Sequence, residues 1–118
     1  MVLNKTIVIT GSGGHLCGEF VRHLSHSNLV IAVDKRIHKV EKIIQELNST
    51  TIVPYQMDVT IKDSWIALLN YVSSNFENID VLINGAGTNT STPFFDITLE
   101  EWESVIDSQL TSTFLGCQ

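Results

Sequence analysis

The stretch "TIVITGSGGHLCGEF", residues 6–20, sets how the rest of the chain reads. Five residues rich in β-branched side chains run into a glycine-rich turn, and the turn runs into a segment with helical spacing. Glycines at 11, 13, 14 and 18 permit positive φ and close backbone approach, so N–H groups at the helix start can face a phosphate. No Gly-Lys-Ser/Thr follows, which excludes a Walker A loop. Taken alone, the stretch fits a plain strand-to-helix turn as well as a phosphate cradle. The choice between them rests on what the other strands bring.

Three further apolar runs follow: "LVIAV" (29–33), "TIVPYQM" (51–57) and "VLIN" (81–84). The nearly unbroken apolar character of the first, second and fourth runs suits strands covered on both faces. Between the runs lie four stripes with helical period. They are Leu16, Phe20, Leu24; Ile37, Val40, Ile44, Leu47; Ile61, Trp65, Leu69, Val72, Phe76; and Leu99, Trp102, Ile106, Leu110, Phe114. Thr60 with Asp63 and Thr98 with Glu101 read as capping boxes at two helix starts. The order β-α-β-α-β-α-β-α predicts one α/β domain over 1–118, a doubly wound parallel sheet of Rossmann type. Pro54 lacks a ladder donor, which places the third strand at a sheet edge.

Composition limits the partners. The chain has 118 residues and a net charge of −6, which opposes nucleic-acid binding and attachment to anionic membranes. The basic cluster Lys35, Arg36, His38, Lys39 is too small to reverse that balance. Two cysteines, Cys17 and Cys117, form no metal or disulfide framework and read as free thiols of a reducing, cytoplasmic compartment. The opening "MVLNKTIVIT" is too short for a signal peptide or a membrane span.

In doubly wound sheets, ligands sit beyond the C-terminal strand ends. The second strand ends at Asp34, 23 residues after Gly11, near the roughly 20 expected of an acid that bonds an adenosine ribose. A carboxylate there accepts from both ribose hydroxyls and repels a 2′-phosphate, favouring NAD over NADP. Lys35 and Arg36 can each pair with that phosphate, so NADP stays open. The third strand leads into Asp58 and Val59, suited to an adenine amino group and ring, or simply to the start of the next helix. The fourth ends in Asn84, Gly85, Ala86 and Gly87: the two glycines around Ala86 let backbone approach a ribose, while Asn84 can bond backbone across the strand ends. A phospho-acceptor domain using Asp58 is the poorer reading, because the first strand ends in Thr-Gly and not in the acids that would hold Mg²⁺.

With "TGSGG", Asp34, "DV" at 58–59, "DVLINGAG" at 80–87 and "PFFDITLEEWESVIDSQLTSTFLGCQ" at 93–118, the chain resembles the short-chain dehydrogenase/reductase family along its whole length. The resemblance implies hydride transfer between a nicotinamide and an alcohol or carbonyl of a small-molecule substrate. It implies that Gly11, Ser12, Gly14 and Leu16 line the pyrophosphate and nicotinamide-ribose side. Asp34 would hold the adenosine ribose, and Asp58 with Val59 the adenine. Asn84, Gly85, Ala86 and Gly87 would brace the sheet and flank the cofactor. It further implies a homo-oligomer formed through the fourth helix, and a substrate pocket bordered by "TNTSTPFF" (88–95).

The chain departs from the family pattern in three ways. Cys17 stands where the glycine loop normally closes, and Gly18 is expected to supply part of the close approach. Gln109 occupies the place of a catalytic-site Asn and is the one catalytic candidate within these residues. The Ser and Tyr-x-x-x-Lys of the family are absent: Tyr55 is followed four residues on by Val59, and Tyr71 by Asn75. In an expected strand order 3-2-1-4, the apolar fourth strand would also lie at an open edge. The chain is therefore expected to be the N-terminal, cofactor-binding part of a longer enzyme or a truncated product, without turnover by itself. A non-catalytic Rossmann module that binds a nucleotide or a partner is the alternative.

Overall fold

The computed structural model describes residues 2–118. Strands β1 (Thr6–Thr10), β2 (Leu29–Asp34), β3 (Ile52–Gln56) and β4 (Val81–Ile83) form one sheet in the order β3-β2-β1-β4. All pairings are parallel, with Val8 opposite both Ile31 and Leu82, and Ile31 opposite Val53. Helices α1 (His15–Leu24), α2 (Ile37–Leu47) and α3 (Lys62–Asn75) are the crossovers. After β4 come a 3₁₀ turn (Phe94–Asp96), α4 (Leu99–Ile106), a π-helical turn (Asp107–Thr111) and α5 (Ser112–Cys117). No described helix is long and apolar enough to cross a membrane.

Strand alternation splits the core in two. Ile7, Ile9, Val30 and Ala32 pack with Cys17, Val21, Val40 and Ile43 of α1 and α2. Val8, Ile31 and Val33 point the other way, onto Leu68 and Val72 of α3. β3 lies at the edge, with Pro54 opposite Ala32, as the missing N–H requires. Because β1 connects to β2 on one side and pairs with β4 on the other, the chain reverses direction across the sheet there. A cleft opens at that switch point, above the C-terminal strand ends.

Several local expectations change. On α1, Leu16 and Phe20 are 68% and 37% exposed, and the buried face is Cys17, Gly18 and Val21. The helix comes too near the strand ends for large side chains, so its small residues turn inward. Thr60 does not cap α3: the helix starts at Lys62 after an extended Ile61, and Thr60 Oγ1 donates to Asp58 Oδ1 (2.6 Å). On α3, Leu68 and Val72 are buried while Leu69 faces out, as does Ile61 just before the helix. The box at Thr98 is present, with Glu101 N donating to Thr98 Oγ1 and Thr98 N to Glu101 Oε2, both at 3.1 Å. The helix it starts is not continuous, because the π-helical turn adds a residue to one turn and shifts the stripe beyond it.

Candidate cofactor site

The C-terminal ends of all four strands border a cleft of about 800 Å³. Its floor is a contact between two loops. Thr10 Oγ1, buried at the end of β1, accepts from Gly85 N (3.0 Å) and Ala86 N (3.1 Å). Gly11 has φ 68°, and a Cβ on it would come within 2.7 Å of Gly85 O. A side chain there is excluded both by conformation and by space. Gly85 is equally confined, since a Cβ on it would run into the Cys17 sulfur and lie 2.9 Å from Thr10 O.

The loop before α1 then presents backbone. Gly14, the N-cap, offers no side-chain acceptor, which leaves the first-turn N–H groups to a bound anion or water. Ser12 is turned inward: its hydroxyl donates to Ile9 O (2.6 Å) and its N–H to Val33 O (3.0 Å). Leu16, although on the first turn, lies outside the cleft lining. Asp34 ties this loop to the next one, with Oδ2 accepting from Gly13 N and Oδ1 from Arg36 N, both at 2.8 Å. A half-buried carboxylate is thus held at the rim by two backbone donors.

Asp58 sits one strand further along. Its Oδ1 accepts from Thr60 N (2.9 Å) and from the Thr60 hydroxyl, and its Oδ2 meets Lys35 Nζ at 3.2 Å. These Thr60 hydrogen bonds, with the Lys35 charge behind them, hold the Asp58 carboxyl below the usual aspartate range. Val59 packs its side chain against the α3-side core, while its carbonyl accepts from Trp65 Nε1 (2.8 Å).

Past β4, Ala86 and Gly87 line the cleft but Asn84 does not. Its amide points to the opposite side, where Nδ2 lies 3.6 Å from Cys117 Sγ. The bond across the strand ends expected of Asn84 is made instead by Thr10. Gln109 also stays out of the cleft: its Nε2 donates to Thr88 O (2.8 Å), and its amide covers Gly87, where a Cβ would come within 2.6 Å. The neighbouring Ser108 is buried and accepts from Thr88 N at 3.0 Å. The π-helical turn puts these two consecutive side chains on one residue of the facing loop. Thr10, Thr88 and Ser108 are the site residues that sequence reasoning missed. Only Thr10 left a signal, as the hydroxyl directly before Gly11.

One expectation near α1 fails. Gly18 does not supply the close approach: a Cβ on it would lie 3.2 Å from the end of the flexible Arg22 side chain and 3.5 Å from both Ile43 Cδ1 and the Ser12 carbonyl, so no backbone comes closer than ordinary contact. Cys17 fills that role against Gly85. Its thiol is not activated by the helix start: burial, and then the Asp34 charge, push its pKa up.

A parallel sheet with a glycine-lined cleft at its switch point defines a Rossmann-type α/β protein. The chain belongs to the short chain dehydrogenase family, whose model matches residues 5–118. It is 27% identical over 120 residues to an uncharacterized oxidoreductase of Staphylococcus aureus (strain USA300), covering 100% of this chain and 52% of that protein. A short chain dehydrogenase from Bacillus anthracis str. 'Ames Ancestor' superposes with TM-score 0.90 at 27% identity, over 97% of this chain and 48% of the other. An oxidoreductase from Haemophilus influenza solved with bound NAD gives TM-score 0.87 at 25% identity, over 99% and 49%. The chain therefore spans about half the length of the relatives it matches.

Proposed function

We propose that the cleft binds a nicotinamide adenine dinucleotide, NAD in preference to NADP, and that the chain is the cofactor-binding portion of an oxidoreductase. In that reading hydride passes between the nicotinamide and an alcohol or carbonyl of a small-molecule substrate. The observation that carries it is Asp34, fixed by Gly13 N and Arg36 N at the rim of a cleft that Gly11, Gly14 and Gly85 keep open. A carboxylate so placed suits a ribose diol and repels a 2′-phosphate. The NAD held by the Haemophilus influenza relative supports the same ligand class.

Gly11 and Gly14 would face the pyrophosphate, with Ser12 and Leu16 shaping the turn from outside the cleft. Asp58 and Val59 would border the adenine, and Gly85, Ala86 and Gly87 the nicotinamide-side ribose. Asn84 and Gln109 would act by position only, bracing the β4 end and the loop at Thr88. Turnover would need a proton donor from outside these residues. Tyr55 and Tyr71 meet at a tilt with centroids 5.1 Å apart, packed against the α3-side core, and neither lines the cleft. The exposed apolar side chains of α4 suit a homo-oligomer, and the two unpaired cysteines suit a cytoplasmic setting.

Titration of the chain with NADH and NADPH tests the reading. The wild type should bind NADH more tightly, and Asp34→Ala should weaken NADH by roughly tenfold, the scale of a lost charged hydrogen bond. Equal affinity for both cofactors in the wild type would remove the NAD preference. A nucleotide-binding module without catalysis gives the same titration, and is favoured by the Gln109 amide being spent on Thr88 O. Turnover by a form of the protein that carries Ser and Tyr-x-x-x-Lys separates the two.

A further inference from the structure

Consecutive residues at the end of β2 carry opposite instructions for a 2′-phosphate. Asp34 repels it, and Lys35, directly after it, offers a compact, strongly hydrated cation suited to bind it. Asp34 cannot easily turn aside, because both its oxygens hold backbone N–H groups. Lys35 is free to move only in its side chain, since its carbonyl is held by Gln56 Nε2 at 3.1 Å. That side chain is 77% exposed, yet its ammonium is drawn across to Asp58 Oδ2 at 3.2 Å. Asp58 is the better-anchored partner: its side chain is 27% exposed and its other oxygen is fixed by Thr60.

We propose that Asp58 is a latch on Lys35, a specificity-determining residue that keeps the ammonium on the β3 side of the cleft and away from the ribose 2′ position. Discrimination between NAD and NADP is then set by the Lys35–Asp58 pair together with Asp34. The inference rests on the cleft being an adenine dinucleotide site. At neutral pH the Asp58 carboxylate is ionised, as an aspartate normally is, so the latch is set there. An exposed ion pair shifts such a balance only by up to about fivefold, which fixes the effect to look for.

The probes are 5′-AMP and adenosine 2′,5′-bisphosphate, titrated calorimetrically into the 118-residue chain. In Asp58→Asn, which keeps an acceptor for Thr60, affinity for the bisphosphate relative to AMP should rise about three- to fivefold. Lys35→Met alone should leave that ratio near the wild-type value, because the latched lysine contributes little. Adding Lys35→Met to Asp58→Asn should abolish the gain, since the freed ammonium is its source. A gain of equal size in the Lys35→Met background would assign the effect to direct repulsion by Asp58 and overturn the latch. An unchanged ratio in Asp58→Asn, or a large loss in Lys35→Met alone, would overturn it too. Wild-type chain that binds AMP with any of those results loses only the latch. Wild-type chain that binds neither nucleotide loses the dinucleotide reading and the latch with it.

Discussion

Strands β1 and β2 bury four residues each, whereas β4, no less apolar in sequence, leaves all three of its residues half-buried. The helices repeat the contrast. α1 and α2 press Cys17, Val21, Val40 and Ile43 into the sheet, while α4 has no buried residue. Leu99, Trp102, Leu110 and Phe114 are 71%, 57%, 63% and 61% exposed, and an apolar groove of about 770 Å³ runs beside β4. Apolar period marks what a segment is able to bury. Burial is realised only where a neighbouring element covers it, as β2 is covered by strands on both edges and helices on both faces.

Core truncation should expose this contrast most strongly. Ile31, fully buried at the sheet centre, should lose about 2–5 kcal/mol of unfolding free energy on change to Ala. The same truncation at Leu110 should stay within about 0.5 kcal/mol. Urea unfolding at two protein concentrations measures both. A cost at Leu110 that matches Ile31 and grows with concentration would show that the exposed face is covered by self-association, and the two halves would then be alike.

Gly85→Ala comes next, because it joins the halves. The new methyl group would meet the Cys17 sulfur on the α1 side and Thr10 O at 2.9 Å, so about 1–3 kcal/mol should be lost. Cys17→Ala in the same chain should recover part of that loss, since the sulfur is one of the two obstacles. The Thr10 carbonyl is the other and stays. No recovery would mean that the backbone contact alone keeps the loops apart.

The sequence made the well-covered half easier to read than the other. Continuous apolar runs located β1 and β2, and Pro54 placed β3 at the edge through one missing donor. The acid at 34 was legible because its interval from Gly11 is fixed by one helix crossover. The phase of α1 was not, since large apolar residues outweigh Cys17 and Gly18 in any pattern, although only the small ones fit against the strand ends. The anchors of the cleft depend on partners far apart in sequence: Thr10 bonds residues 75 and 76 positions away. No local spacing reports that. The π-helical turn is similarly hidden, because one extra residue in a helical turn leaves no signature in residue type yet decides which side chains meet Thr88.

Capping is a smaller effect and differs between the halves. α4 begins with a complete capping box, and Glu101 Oε1 also accepts from the Thr92 hydroxyl (2.7 Å) and the Thr90 hydroxyl (3.2 Å). α1, α2 and α3 begin with no side-chain cap and depend on packing. Thr98→Ala should therefore cost about 1 kcal/mol. Hydrogen exchange should quicken over 88–101 before it changes in α1. Quickening spread evenly over both halves would mean that α4 and the sheet open as one unit.

Acid should produce the smallest effect and address one carboxylate in each half. Asp58 is held below its usual range chiefly by Thr60, and Glu101 chiefly by the Thr92 hydroxyl and then Thr98 N. A group whose pKa is lower folded than unfolded binds fewer protons in the native state at intermediate pH. Its stabilisation is complete above the unfolded value, about 3.9 for Asp and 4.3 for Glu, and is lost as pH falls through the lower folded one. The wild type should accordingly lose stability below about pH 4. Asp58→Asn and Glu101→Gln should each flatten that decline while leaving a lower plateau at neutral pH. The two sites share no hydrogen-bond partner, so their effects on the slope should add. If the double variant declines as steeply as the wild type, the acid sensitivity belongs to other carboxylates.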